Sequence, residues 1–465
     1  MTNFSDFGLA APLLRALDAE GYTTPTPIQA QAIPPALTGR DILGIAQTGT
    51  GKTAAFALPI LHRLAAGARA PRPNTCRALI LSPTRELAGQ IQDSFRTYGA
   101  GMRLSSTVVF GGVPLGKQER VMARGVDVLV ATPGRLLDLI GRRAVNLRET
   151  EILVLDEADQ MLDLGFIEPL RRIAAMLPAQ RQTLFFSATM PDAIARLGDA
   201  FLSDPVRVAV APVATTAERV EQRVIHVAGA AKQGTLETVL RDPAITRTLV
   251  FARTKHGADR VVKNLGMAGV AADAIHGNKS QSQRERALLA FRRGHCRVLV
   301  ATDIAARGID VDGVSHVINF DLPNVPESYV HRIGRTARAG ADGIAISFCA
   351  PEERPFLRDI ERLTRQRVPV LSLPHQDGPL DLASLPVEMP PPLPEPGQRG
   401  AGGGAPHGGH GGAPGGGNPS RNQRRNQRRR RPNGGQGHGA GGAAHGHGQG
   451  QQGRRDGAGR DRAAN

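Results

Sequence analysis

Short aliphatic and β-branched runs recur along the chain, and stretches patterned for helix separate them. In the first half they are "RALILS" (77–82), "VDVLVAT" (126–132), "EILVLD" (151–156) and "QTLFFSAT" (182–189). In the second half they are "RTLVFAR" (247–253), "RVLVATD" (297–303), "SHVINFD" (315–321) and "GIAISFC" (343–349). Runs apolar on both faces belong inside a parallel sheet covered by helices on each side. The spacing therefore predicts an α/β chain with two such domains, 1–210 and 223–370. The weakly patterned "RVAVAPVATTAERVEQ" holds the seam, a linker over 211–222.

Beyond Val370 the pattern stops. "LPVEMPPPLPEPG" reads as a Pro-rich, extended connector over 371–396 that packs poorly. From Gly397 to Asn465 no aromatic residue occurs, and 12 Arg stand against 2 Asp, which is +10 of the chain's +16. Such a segment buries too little apolar surface to offset its ordering entropy, so 397–465 is expected to be a disordered basic tail. The positive charge points to a polyanionic partner such as nucleic acid. The seven arginines of "RNQRRNQRRRR" (421–431) read as a mobile tether for nucleic acid, with a merely solubilising tail as the alternative. Three scattered cysteines, Cys76, Cys296 and Cys349, form no ligand spacing and fit a reducing compartment. With no apolar run near membrane-span length, a soluble, cytoplasmic protein is expected.

"AQTGTGKT" (46–53) follows the apolar "DILGI" and precedes an amphipathic helix, the context that a phosphate-binding loop requires. Backbone N–H groups of Gly49, Thr50 and Gly51 can wrap a β-phosphate, Lys52 brings a charge toward the β/γ-phosphates, and the Thr53 hydroxyl suits Mg²⁺. Ala46 occupies the first position, followed by Gln47 and Thr48. The carboxylates in "EILVLDEADQMLDLGF" then acquire a reason. Alone they read as a solvated acidic turn, but beside a phosphate loop Asp156 at a strand tip suits the metal. Glu157 suits the attacking water.

Together "AQTGTGKT" and "LDEAD" resemble the DEAD-box ATP-dependent RNA helicases, and further matches run from residue 4 to about 350. The resemblance implies two tandem RecA-like domains, each a parallel sheet flanked by helices, using ATP and Mg²⁺ to unwind short RNA duplexes with low sequence specificity. "GYTTPTPIQ" (21–29) is similar to the adenine-reading element, so Gln29 would read the base edge, Tyr22 would stack on it, and Phe4 takes the upstream aromatic position. "PTRELA", "GG" and "TPGR" resemble the RNA-backbone motifs, which implies contacts from Thr84, Arg85, Gly112, Thr132 and Arg135. "SAT" (187–189) resembles the element that couples hydrolysis to unwinding, through Ser187, Thr189 and Asp159.

In the second domain "VFARTK", "HGNKSQSQRE", "ATDIAARGID" and "HRIGRTAR" resemble the remaining motifs in order. They imply RNA contacts from Arg253, Gly277, Gln281, Arg284 and Thr302, a ribose contact from Asp310, and a linking role for His331. Arg335 and Arg338 would serve as arginine fingers on the γ-phosphate. Two departures stand out: Gln160 where many relatives have Arg, and Ala337 where Gly is common. An ATP-gated RNA clamp and a DNA helicase are the competing functions; the carboxylates and arginines favour turnover over a clamp. The N-terminal segment resembles the RhlE-type branch. The core is expected to be monomeric, with no membrane partner; ribosome assembly and RNA degradation are both open as its setting.

Overall fold

A computed structural model of the chain describes residues 3–47, 49–67, 69–210, 220–306, 311, 313–337, 343–374 and 380–391. The expectations for Thr48, Asp310, Arg338, residues 211–219 of the linker and the 397–465 tail lie outside these.

The first lobe is a seven-stranded parallel sheet. Its strands are β1 (Ile42–Ile45), β2 (Cys76–Leu81), β3 (Ser106–Val109), β4 (Val126–Ala131), β5 (Ile152–Leu155), β6 (Gln182–Ser187) and β7 (Val206–Ala209). They lie in the order β3-β4-β2-β5-β6-β1-β7. Every residue of β2, β4, β5 and β6 is buried, as their uninterrupted apolar character requires. Alternation divides each strand between two cores. Ile80, Val154 and Phe186 face one side with Phe56, whereas Leu79, Leu153 and Phe185 face the other with Leu136 and Met161.

The second lobe contains β8 (Val220–His226), β9 (Thr248–Phe251), β10 (Ala272–Ile275), β11 (Val298–Ala301), β12 (His316–Asn319), β13 (Gly343–Cys349), β14 (Val370–Leu371) and β15 (Val387–Glu388). Their order is β10-β11-β9-β12-β13-β8-β14-β15, and only the β14–β15 pairing is antiparallel. All eight predicted runs are strands. The edge strands β3 and β10 have no apolar run to announce them, since each is only partly buried.

Two boundaries differ from the sequence reading. The second sheet starts at Val220, inside the stretch assigned to the linker, and β8 pairs with β13 along its whole length. Its polar residues disguised it, yet Glu221, Gln222 and Arg223 have partners. Tyr329 donates its hydroxyl to Gln222 (2.8 Å), and Arg223 donates from Nε to Glu221 (2.8 Å). The connector assigned to 371–396 also belongs in part to the lobe. Leu371, Leu380 and Leu382 are buried in the β8–β13 core. The Leu382 N–H donates to Asp242 (2.8 Å), its carbonyl accepts from Arg223, and β15 pairs with β14. Leucines spaced between prolines supply burial that composition alone conceals.

Each of these leucines contributes about 1.5–3 kcal/mol of burial. A chain ending at Val370 should therefore melt roughly 5–15 °C lower in calorimetry, whereas one ending at Pro391 should melt with the parent. Equal melting of both truncations would remove the segment from the core.

Candidate functional site

Parallel strands present their C-terminal ends at one sheet edge, so the loops that leave β1, β2, β5 and β6 gather there. The loop after β1 leads into the helix Lys52–Ala66, with Gly51 as its cap at φ +92°. A Cβ on Gly51 would lie 2.4 Å from the Gln29 amide nitrogen, so the position demands glycine. Lys52 is buried and donates from Nζ to the Ala46 carbonyl (2.9 Å), and Thr50 Oγ1 donates to Gln47 O (2.7 Å). The helix Pro27–Leu37 braces this loop. Gln29 donates to Gly51 O (3.1 Å) and accepts from Thr26 N–H (2.9 Å), while Thr26 Oγ1 donates to Thr50 O (2.8 Å). Gln29 thus holds the loop in place.

Asp156 immediately follows β5, and Glu157 comes next in a left-handed conformation, φ +53°. A non-glycine residue held there stores strain of the kind found at functional sites. Both carboxylates are almost fully buried. Burial is the largest influence on Asp156 and pushes its carboxyl from the ordinary 3.8 up to about 7; Lys52 opposes the rise, while Glu157 and Asp159 add to it. Thr53, Asp156 and Glu157 offer hard oxygen donors around charge that Lys52 only partly offsets, so the residues fit Mg²⁺. Asp159 connects this strand tip to the next. Its Oδ2 accepts from Thr189 N–H (2.9 Å) and Oγ1 (3.0 Å), and its own N–H donates to Ser187 Oγ (3.3 Å).

Thr26, Gln29, Gly51, Lys52, Thr53, Asp156 and Glu157 line a cleft of about 580 Å³ that also contains Phe4, Tyr22, Gly49 and, from the second lobe, Arg335. Arg335 is buried and donates from Nε to the carbonyl of His331, one turn earlier. One side of the cleft escaped sequence reasoning. Leu87, Gln90, Ser94 and Tyr98 line it from the helix Arg85–Tyr98, and Tyr98 packs against Tyr22 with ring centroids 6.3 Å apart. Their three- and four-residue spacing marks one helical face, the only available signal. Ala337 takes φ +54°, which explains why glycine suits that position.

Several residues expected to touch RNA meet across the lobes. Arg85 donates to Gln281 (3.3 Å), and Arg284 pairs with the buried Glu86 (2.7 Å). A Cβ on Gly112, at φ +84°, would collide with Arg85, so glycine lets that guanidinium lie flat on the chain. Thr84 caps the helix Arg85–Tyr98 by accepting from Leu87 N–H (3.3 Å), and Thr132 precedes the helix Pro133–Gly141. Arg135 donates to Val113 O (3.1 Å) and Gln118 (3.0 Å). Arg253 donates to Glu353 (2.6 Å) with its guanidinium 5.7 Å from the Phe356 ring centroid. Gly277 lies beside Lys255, and Thr302 is buried after β11. By contrast Arg332 is structural, pairing through Nη2 with Asp303 (2.8 Å) and lying over Phe251.

An acid whose pKa is higher folded than unfolded binds more protons in the folded chain, so stability falls as pH rises from 3.8 towards 7. Asp156→Asn should therefore melt above the ligand-free parent at pH 8, and the gap should close by about pH 4. A gap independent of pH would contradict the assignment.

Residues 26–197 match the DEAD/DEAH box helicase family and residues 231–340 the helicase conserved C-terminal domain. ATP-dependent RNA helicase CshA of Listeria monocytogenes is 44% identical over 377 residues, which cover 81% of this chain and 72% of that protein. DEAD-box ATP-dependent RNA helicase CshA of Bacillus subtilis is 42% identical, over 81% of this chain and 76% of its own length. Among solved structures, S. cerevisiae Dbp5 bound to RNA and ADP BeF3 superimposes with a TM-score of 0.70 at 32% identity, covering 78% of this chain and 94% of that one. With its phosphate loop, strand-tip carboxylates and second-lobe arginine in one cleft, the chain belongs to the DEAD-box ATP-dependent RNA helicases.

Proposed function

We propose that this chain hydrolyses ATP in the cleft between its lobes and uses the resulting cycle of closure and release to separate short RNA duplexes. The observation that carries the reading is Arg335, which reaches from the second lobe into the cleft that holds Lys52, Asp156 and Glu157. Backbone N–H groups of the 46–53 loop and the Lys52 ammonium hold the β- and γ-phosphates. Asp156 and Thr53 would hold Mg²⁺, which when bound offsets phosphate charge. Glu157 orients the attacking water and takes its proton. Arg335 and Arg338 stabilise charge on the phosphoryl group in transfer. Phe4, Tyr22 and Gln29 receive the base, and Asp310 the ribose.

RNA enters through Thr84, Arg85, Gly112, Thr132 and Arg135 on one lobe and Arg253, Gly277, Gln281, Arg284 and Thr302 on the other. These groups suit phosphates and 2′-hydroxyls rather than base edges, so sequence selectivity is low and RNA is preferred over DNA. Because neither lobe completes the site, ATP and RNA each favour closure and therefore favour each other's binding. The Asp159–Thr189–Ser187 bonds tie the carboxylate strand tip to its neighbour, and Asp159 and His331 relay the state of the cleft to the RNA side. No described helix is long and apolar enough to cross a membrane.

The finer assignments form part of the same proposal. The core acts as a monomer in the cytoplasm, where three buried thiols stay reduced, and it works within ribosome assembly or RNA degradation. The N-terminal segment favours the RhlE-type branch, although the CshA relatives carry the name of another branch. Glu157→Gln should lower RNA-stimulated turnover at least about a hundredfold while ATP affinity, read by nucleotide titration, stays near the parent's. Retained turnover would take Glu157 out of this role.

A further inference from the structure

The opposite edge of the first sheet holds a second concentration of charge. A hollow of about 440 Å³ opens there, with Arg63, Arg69, Arg148, Arg181, Glu149 and Glu151 in its wall. Glu151 immediately precedes β5, whereas Asp156 immediately follows it, so the strand alone separates this hollow from the catalytic carboxylates by about 17 Å. It is a different place from the nucleotide cleft.

The carboxylates in the wall are already engaged. Glu149 pairs with Arg69 (3.2 Å) and Arg72 (2.9 Å), and Glu151 with Arg69 (3.1 Å) and Arg77 (3.0 Å). Among the described residues Arg63, Arg148 and Arg181 make no ion pair with a carboxylate. Arg63 donates to Gln182, and Arg181 donates from Nη1 to Pro178 O (2.8 Å). The Arg181 Nε is buried and has no hydrogen-bond partner among the described residues. Burial lowers the pKa of both Arg63 and Arg181, with Glu151 and Asp41 respectively opposing it. Partly dehydrated guanidinium groups with unused donors are a poor arrangement unless an anion completes them.

We propose that this hollow is a second anion site, which takes a phosphoryl group on Arg63, Arg148 and Arg181. Guanidinium forks match the paired oxygens of a phosphate and bind it through charge-assisted hydrogen bonds. The phosphoryl group comes either from the backbone of an RNA strand running outside the cleft or from a free phosphate compound.

The test uses the full-length chain saturated with ADP, so that the Lys52 loop is filled, and titrates inorganic pyrophosphate by calorimetry. The Arg148→Ala/Arg181→Gln double variant should bind pyrophosphate at least about tenfold more weakly than the parent, with basal ATP hydrolysis unchanged. Arg148→Glu, altered at an exposed residue, keeps the test available if the double variant does not fold. A parallel titration with short single-stranded RNA identifies the source. Weaker RNA binding, with a salt slope reduced by about one, assigns the site to an RNA phosphate; superimposable RNA curves assign it to a free phosphate compound. Pyrophosphate binding equal to the parent's in the folded variants would overturn the proposal.

Discussion

Buried negative charge at the tip of β5 is the constraint around which the rest is arranged. Two carboxylates, Asp156 and Glu157, lie in the sheet edge nearly out of water, with Asp159 two residues further along. Left uncompensated they would destabilise the lobe. Lys52 supplies part of the compensation, Thr189 and Ser187 occupy Asp159, and what remains suits a cation such as the proposed Mg²⁺. The same feature that costs stability in the ligand-free chain would therefore favour a nucleotide that brings its own cation. Parallel strands make the convergence possible, since every strand tip that contributes lies along one edge.

The interface between the lobes follows a similar logic. Arg284 and Glu86 pair in a largely buried contact, with Arg85 reaching Gln281 beside them. Burial raises the Glu86 pKa, against the pull of Arg284, so the cost of desolvation offsets part of what the pair contributes to stability. Arg253 is held in another way, between Glu353 and the Phe356 ring, and Glu353 is in turn anchored by the buried Lys232 (2.7 Å). Side chains assigned to RNA are thus positioned by carboxylates that belong to the fold.

Much of this was legible in the sequence because local chemistry dictated it. Strands β2, β4, β5 and β6 are apolar on both faces, and glycine at position 51 answers a backbone angle and a close approach. What escaped notice depended on tertiary context. β8 carries Glu221, Gln222 and Arg223 and looks like a linker until Tyr329 and Leu382 supply partners distant in the chain. Leu380 and Leu382 look like part of a connector until the second lobe covers them. The Leu87–Tyr98 face of the cleft resembles any amphipathic helix, and Glu86 and Glu353 gain meaning only from the arginines they meet.

The central claim is that the second lobe completes the catalytic site through Arg335. RNA-stimulated ATP hydrolysis by Arg335→Ala, measured beside its ATP affinity, tests that claim most directly. The account predicts turnover reduced by about a thousandfold or more with ATP affinity close to the parent's. Turnover at the parent rate would contradict it.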